Sequence, residues 1–151
     1  MKIYNTTTDE NYINSKFIMP MESKITSSFG KARIYNNTLN GYHSGTDFRA
    51  KVGTPIVASN DGKVALVKNR FYSGGTVLID HGQGIYTCYF HMSDFNVTEG
   101  QKVKKEQVIG LSGVSGRVTG PHLHFSARVG GVQVDPLQLI ALLNKKIFKD
   151  K

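Results

Sequence analysis

The chain has 151 residues, enough for one ordinary domain with a real core, and 39% hydrophobic content with 16 glycines suits a turn-rich fold. No window approaches the run of roughly 18 to 20 apolar residues that spans a bilayer as a helix. Nineteen Lys and Arg against eleven Asp and Glu leave a formal net charge of +8, which favours an anionic partner. The lysines at 102, 104, 105, 145, 146, 149 and 151 are not interleaved with aromatic residues, so the charge excludes a nucleic-acid platform and reads as solvated turns and tail.

Residues 1–16 are rich in Asn, Thr, Asp and Glu and read as a linker or flexible arm. The start lacks the apolar run of a secretory signal, so the expectation is either an intracellular protein or a segment of a longer chain. Order is expected from Phe17-Ile18-Met19-Pro20, and residues 17–144 form the domain. Short apolar runs follow at 25–29, 55–58, 63–68, 76–80, 85–90, 107–111, 122–129 and 132–134. Glycine turns separate them at Asn40-Gly41, Asp61-Gly62, Gly74-Gly75, His81-Gly82 and Gly130-Gly131. Many short strands with such turns predict a mainly β sandwich or barrel. One short helix is predicted near the C-terminus, with Asp135 as N-cap, Pro136 in the first position, and a stripe of Leu137, Ile140, Ala141 and Leu142 or Leu143. Residues 145–151 read as a basic tail.

Chemistry concentrates in two segments. In Gly120-Pro121-His122-Leu123-His124-Phe125, alternation on a strand sends both imidazoles to one face and Leu123 and Phe125 to the other. In His43-Ser44-Gly45-Thr46-Asp47, an extended backbone puts His43, Gly45 and Asp47 on one face, with space beside Gly45. Imidazole and carboxylate from here plus one imidazole from His122 or His124 make a three-ligand set, the number that catalytic zinc sites use. The spacing alone leaves open which of those two histidines is the ligand. Cys88 is a lone cysteine in an apolar run and reads as a buried thiol. His91 is expected to end a strand, on the face shared with Tyr89 and Thr87, and to act at the site. His81 lies in a tight turn and reads as structural. No Glu neighbours the histidines as in His-Glu-x-x-His enzymes, so acid–base work falls to His91 and to the non-ligand member of the pair.

His43-x-x-x-Asp47, Gly53-Thr54-Pro55, Asp61-Gly62-x-Val64, Val77 to Gly84, Tyr89-x-His91, Val103-x-x-x-Gln107-x-Ile109-Gly110, Ser112-Gly113 and Gly120 to Phe125 occur in the order of the lysostaphin-like, or LytM-like, zinc peptidases of family M23. The chain resembles them from about Ile25 to Leu139. The resemblance implies a groove floored by an antiparallel sheet, barrel-sandwich-like, with one short C-terminal helix. It implies one Zn²⁺ held by His43, Asp47 and His124, with His91 and His122 as catalytic residues. It also implies hydrolysis of amide bonds in peptidoglycan stem peptides or cross-bridges, in the periplasm or outside the cell. Because no export signal is visible, the residues read as a catalytic domain excised from a longer exported protein, with any regulatory domain or partner outside this segment. The alternative is a LytM-like module that holds zinc without turnover and binds the wall or regulates an amidase. Loops at 34–42, 69–75 and 114–119, with Arg33 and Arg117, are where the choice of bond is expected to reside.

Overall fold

In a computed structural model, the described residues are 12–13, 15–27, 29–30, 32–35, 38–42, 45–70, 74–114 and 121–147. Twelve strands precede one helix among them. They are β1 (Ile25–Ser27), β2 (Ala32–Tyr35), β3 (Thr38–Tyr42), β4 (Thr46–Arg49), β5 (Pro55–Val57) and β6 (Gly62–Arg70). Then follow β7 (Gly74–Asp80), β8 (Ile85–Phe95), β9 (Lys102–Val103), β10 (Val108–Ser112), β11 (His122–Val129), β12 (Val132–Val134) and α1 (Pro136–Ile147). The predicted mainly β architecture is present, as an antiparallel sheet ordered β1-β4-β11-β8-β7-β6-β9. β12 pairs with β11, β10 bridges β5 and β8, and β2–β3 form a separate hairpin.

Two apolar clusters lie on the two sides of this sheet. On one side, Phe48, Ile56, Val77, Ile79, Tyr89, Leu123 and Phe125 belong to the larger core, all at 2% exposure or less. Each such side chain stabilises the fold by roughly 1.5–3 kcal/mol through area removed from water. On the other side, Leu66, Leu78, Tyr86 and Cys88 form a smaller cluster with Phe90 against it. β7 is buried over its whole length because it is central and covered on both faces, which explains why it reads as a continuous apolar run. Cys88 is buried, as its apolar neighbours predict.

The helix begins as expected: Asp135 Oδ1 accepts from the backbone N–H groups of Leu137 (3.0 Å) and Gln138 (3.3 Å). Ile140 is buried at 4% and Leu137 and Leu143 pack against the core, while Ala141 and Leu142 face outward. The helix runs on through Lys145 to Ile147, and 148–151 lie outside the described residues. Of the stretch read as an arm, residues 1–11 and 14 lie outside the described residues. Tyr12 and Ile13 are tied in, Tyr12 N–H donating to the His81 carbonyl (3.1 Å) and Ile13 buried in the core. Just after them, the Asn144 amide pairs with both backbone groups of Phe17, accepting from its N–H (2.7 Å) and donating to its C=O (3.0 Å). A side-chain amide thus completes the backbone hydrogen bonding of a segment that has no strand partner at that point.

Candidate active site

β4 and β11 bring the two sequence segments together. Their register sets His122 opposite Arg49, Leu123 opposite Phe48, and His124 opposite Asp47. Leu123 and Phe48 face the larger core, so Asp47, His122 and His124 emerge on the other side, as alternation predicts. His124 Nδ1 lies 2.8 Å from Asp47 Oδ1, and His122 Nε2 lies 3.7 Å from the same oxygen. His124 is therefore the nearer of the two imidazoles to the carboxylate. The side chains of Asp47, His122 and His124 keep 15%, 20% and 12% of their exposure, covered enough to be held yet open to solvent. His43 lies outside the described residues.

The ring of His91 stands against both partners, with centroids 5.1 Å from His122 and 6.1 Å from His124. Its route there differs from the expectation. β8 does not end at His91 but continues to Phe95, and His91 does not share the face of Tyr89 and Thr87. On β7 a single residue separates Gly75 from Val77, whereas their partners Met92 and Tyr89 on β8 are separated by two. This β-bulge turns His91 to the side of Phe90, and the backbone of His91 is left-handed, with φ of 61°. Tyr89 stays in the core against Phe125 (5.4 Å), while Phe90, paired with His124, packs its ring at 5.3 Å from that imidazole. Nothing in the sequence marks Phe90 as part of the site, because its place beside His124 comes from the β8–β11 register.

Gly45 borders the site for a steric reason. A Cβ there would lie 2.4 Å from the Phe125 carbonyl oxygen and 2.8 Å from His124 Nε2. The missing side chain leaves room for the far edge of the His124 ring, and Nδ1 is thereby turned to Asp47.

His81 is elsewhere, fully buried and edge-on to Phe17 at 5.0 Å. Its Nδ1 lies 2.7 Å from the Asp61 carbonyl, which can only accept, so Nδ1 carries the proton and Nε2 accepts. Thr87 O–H then donates to Nε2 (2.8 Å), Tyr89 O–H donates to Thr87 Oγ1 (2.7 Å), and Ser59 N–H donates to the Tyr89 oxygen (3.2 Å). Every proton in this chain has one direction. Desolvation pushes the His81 pKa down to about 4 and raises that of Tyr89, keeping both neutral. The structural reading of His81 agrees with this setting.

Chemically, Asp47 and His124 offer an oxygen and a nitrogen donor side by side, a pair suited to a divalent ion of the zinc type. Among the described residues no three His, Cys, Asp or Glu side chains are gathered to hold a metal ion.

The family model described as Peptidase family M23 matches residues 41–136. Peptidoglycan DD-endopeptidase ShyA of Vibrio cholerae is 44% identical over 122 residues, covering 79% of this chain and 28% of that protein. The chain spans about a quarter of the length of the curated relatives it matches. Among solved structures, a putative M23 peptidase from Pseudomonas aeruginosa superimposes with a TM-score of 0.80 at 34% identity, covering 92% of this chain and 56% of its own. A zinc-containing peptidase from Vibrio cholerae gives a TM-score of 0.74 at 38% identity, over 79% of this chain and 38% of its own.

Proposed function

Because this chain belongs to peptidase family M23, we propose that it is a zinc-dependent peptidoglycan endopeptidase that hydrolyses amide bonds in cell-wall peptide cross-links. One observation carries the reading: on a single solvent-facing patch, Asp47 and His124 meet at 2.8 Å while His91 and His122 stand beside them. The DD-endopeptidase relatives direct the proposal to bonds that join two D-configured residues. Such a substrate places the work in the cell envelope, periplasmic or extracellular.

His43, Asp47 and His124 are the residues that would hold one Zn²⁺. The donor types fit, and His43 enters by its spacing from Asp47. When bound, the ion supplies Lewis acidity, acidifying water and polarising a carbonyl. The remaining work falls to the two other imidazoles. His91 and His122 together orient the attacking water and take its proton. They also place an N–H where the carbonyl oxygen gains negative charge, and they return the proton to the departing amine. Neutral imidazole is suited to this because it titrates near pH 7. A module that only held zinc would have no use for His91, whose left-handed backbone costs on the order of 1 kcal/mol.

The test is digestion of purified cross-linked muropeptides with the zinc-loaded chain, with products resolved by mass spectrometry. Release of uncross-linked peptides, abolished by a chelator and restored by zinc, is expected. Wall binding with no released peptide would place the chain among the non-catalytic modules instead.

A further inference from the structure

The face that carries the histidines also carries a cation with no part in the proton transfers above. Arg49 follows Asp47 by two residues on β4, so the two side chains leave the same side of the sheet. Phe48 between them is fixed in the core at 2% exposure, which prevents the strand from turning over. Arg49 sits directly opposite His122 in the β4–β11 ladder, a relation that holds Cβ atoms roughly 4.5–5.5 Å apart. Unlike Asp47, His122 and His124, it is exposed, and it forms the rim of the site. At the far edge of the same face, Lys68 and Arg70 continue the alternation that starts with Leu66. Among the described residues of β4 and β7, the acids on this face are Asp47, inside the site, and Asp80, which is buried and accepts from Gly82 N–H at 2.8 Å. The exposed charge that β4 and β6 bring to this face, at Arg49 and Lys68, is positive among the described residues, and half-buried Arg70 adds to it.

We propose that Arg49 binds a substrate carboxylate, the one on the residue that supplies the scissile nitrogen. This rests on the endopeptidase reading given above. In an amide joining two D-configured amino acids, the α-carbon attached to the nitrogen also bears that residue's own carboxyl group. Where no further residue follows, this is a free carboxylate one carbon removed from the bond being cut. A cation one strand away from His122 lies where such a group arrives when the bond is set against the histidines. The planar guanidinium matches a carboxylate with two parallel N–H donors, and a primary amide at the same position offers it no charge. Attraction at Arg49 sets which way round the peptide lies.

The experiment uses two cross-linked peptides that differ only at this group, free carboxylate or primary amide. Cleavage is measured with the zinc-loaded chain, and binding by calorimetry with the chelator-treated chain. Wild type is expected to prefer the carboxylate form by about 10- to 100-fold in both readouts, the range of a charge-assisted pair. Arg49→Gln is expected to bring that preference close to unity, and Arg49→Lys to restore part of it. A preference unchanged in Arg49→Gln, or wild type treating both peptides alike, overturns the proposal while leaving the endopeptidase reading intact. If neither peptide is cleaved but the metal-free chain still selects the carboxylate through Arg49, the recognition stands and the endopeptidase reading falls.

Discussion

At the residue scale, the pair formed by Asp47 and His124 and the pair formed by His91 and His122 make separable demands. Asp47→Ala removes a proposed ligand and is expected to lose both bound zinc and activity. His122→Ala is expected to keep its zinc, read by elemental analysis, and to lose activity by about 10²- to 10⁴-fold, the usual weight of a general acid or base. Equal muropeptide hydrolysis by wild type and His122→Ala would defeat that assignment. Gly45 tests how the ligand is supported. Its φ is not in the left-handed region, so alanine is barred only by the Phe125 carbonyl and the His124 ring edge. Gly45→Ala is therefore expected to weaken zinc binding by about 10- to 100-fold, as loss of a ligand's supporting shell does, measured by competition with a chromogenic chelator. That His122 and His124 share a face was legible from alternation alone. Which of them lies nearer the carboxylate was not, because that depends on which residue β11 places opposite Asp47. Arg49 carries the same alternation signal two residues after Asp47, but a lone arginine on a short strand has no motif to mark it.

At the element scale, β8 shows where periodicity misleads. Strict alternation groups His91 with Tyr89, and only the mismatch in count against β7 moves it to the other side. A bulge belongs to the pairing of two strands and leaves no mark within one of them. The same dependence hid β2–β3 and the two-residue β9, which have no apolar pattern of their own. The long runs at β6, β7 and β11 and the capped helix were legible because turn glycines and an N-cap bound them locally. The bulge makes a prediction about stability. In an ordinary strand, glycine costs roughly 0.5–1 kcal/mol relative to alanine. At position 91, with φ of 61°, the order is expected to reverse. Since both remove the imidazole, His91→Gly is expected to be more stable than His91→Ala by about 1 kcal/mol in urea unfolding. Greater stability of the alanine variant would mean that the left-handed backbone is not held in solution.

For the molecule as a whole, the two sides of the sheet are under different constraints. The larger core, with Phe17 and Ile140 sealed into it, carries the stability, and the opposite side holds the titratable histidines of the site. His81 belongs to the first side, and its effect is read in the pH dependence of unfolding. Its folded pKa of about 4 is below its ordinary 6.5, so between those values the unfolded chain takes up a proton that the folded one does not. Its contribution is complete above pH 6.5 and is lost as the pH falls towards 4, by roughly 2–3 kcal/mol at pH 4.5. His81→Gln is expected to be less stable at pH 7 and to show a shallower decline on acidification. An equal slope in the two proteins would separate His81 from acid sensitivity. The one-way run from Ser59 to Asp61 has a further consequence, for spectroscopy. Each hydroxyl in it has a single acceptor and lies on a side chain at 1% exposure or less, so its rotation is arrested. The hydroxyl protons of Thr87 and Tyr89, ordinarily erased by exchange with solvent, will persist as resolved magnetic resonance signals and will vanish together when the His81 ring is replaced.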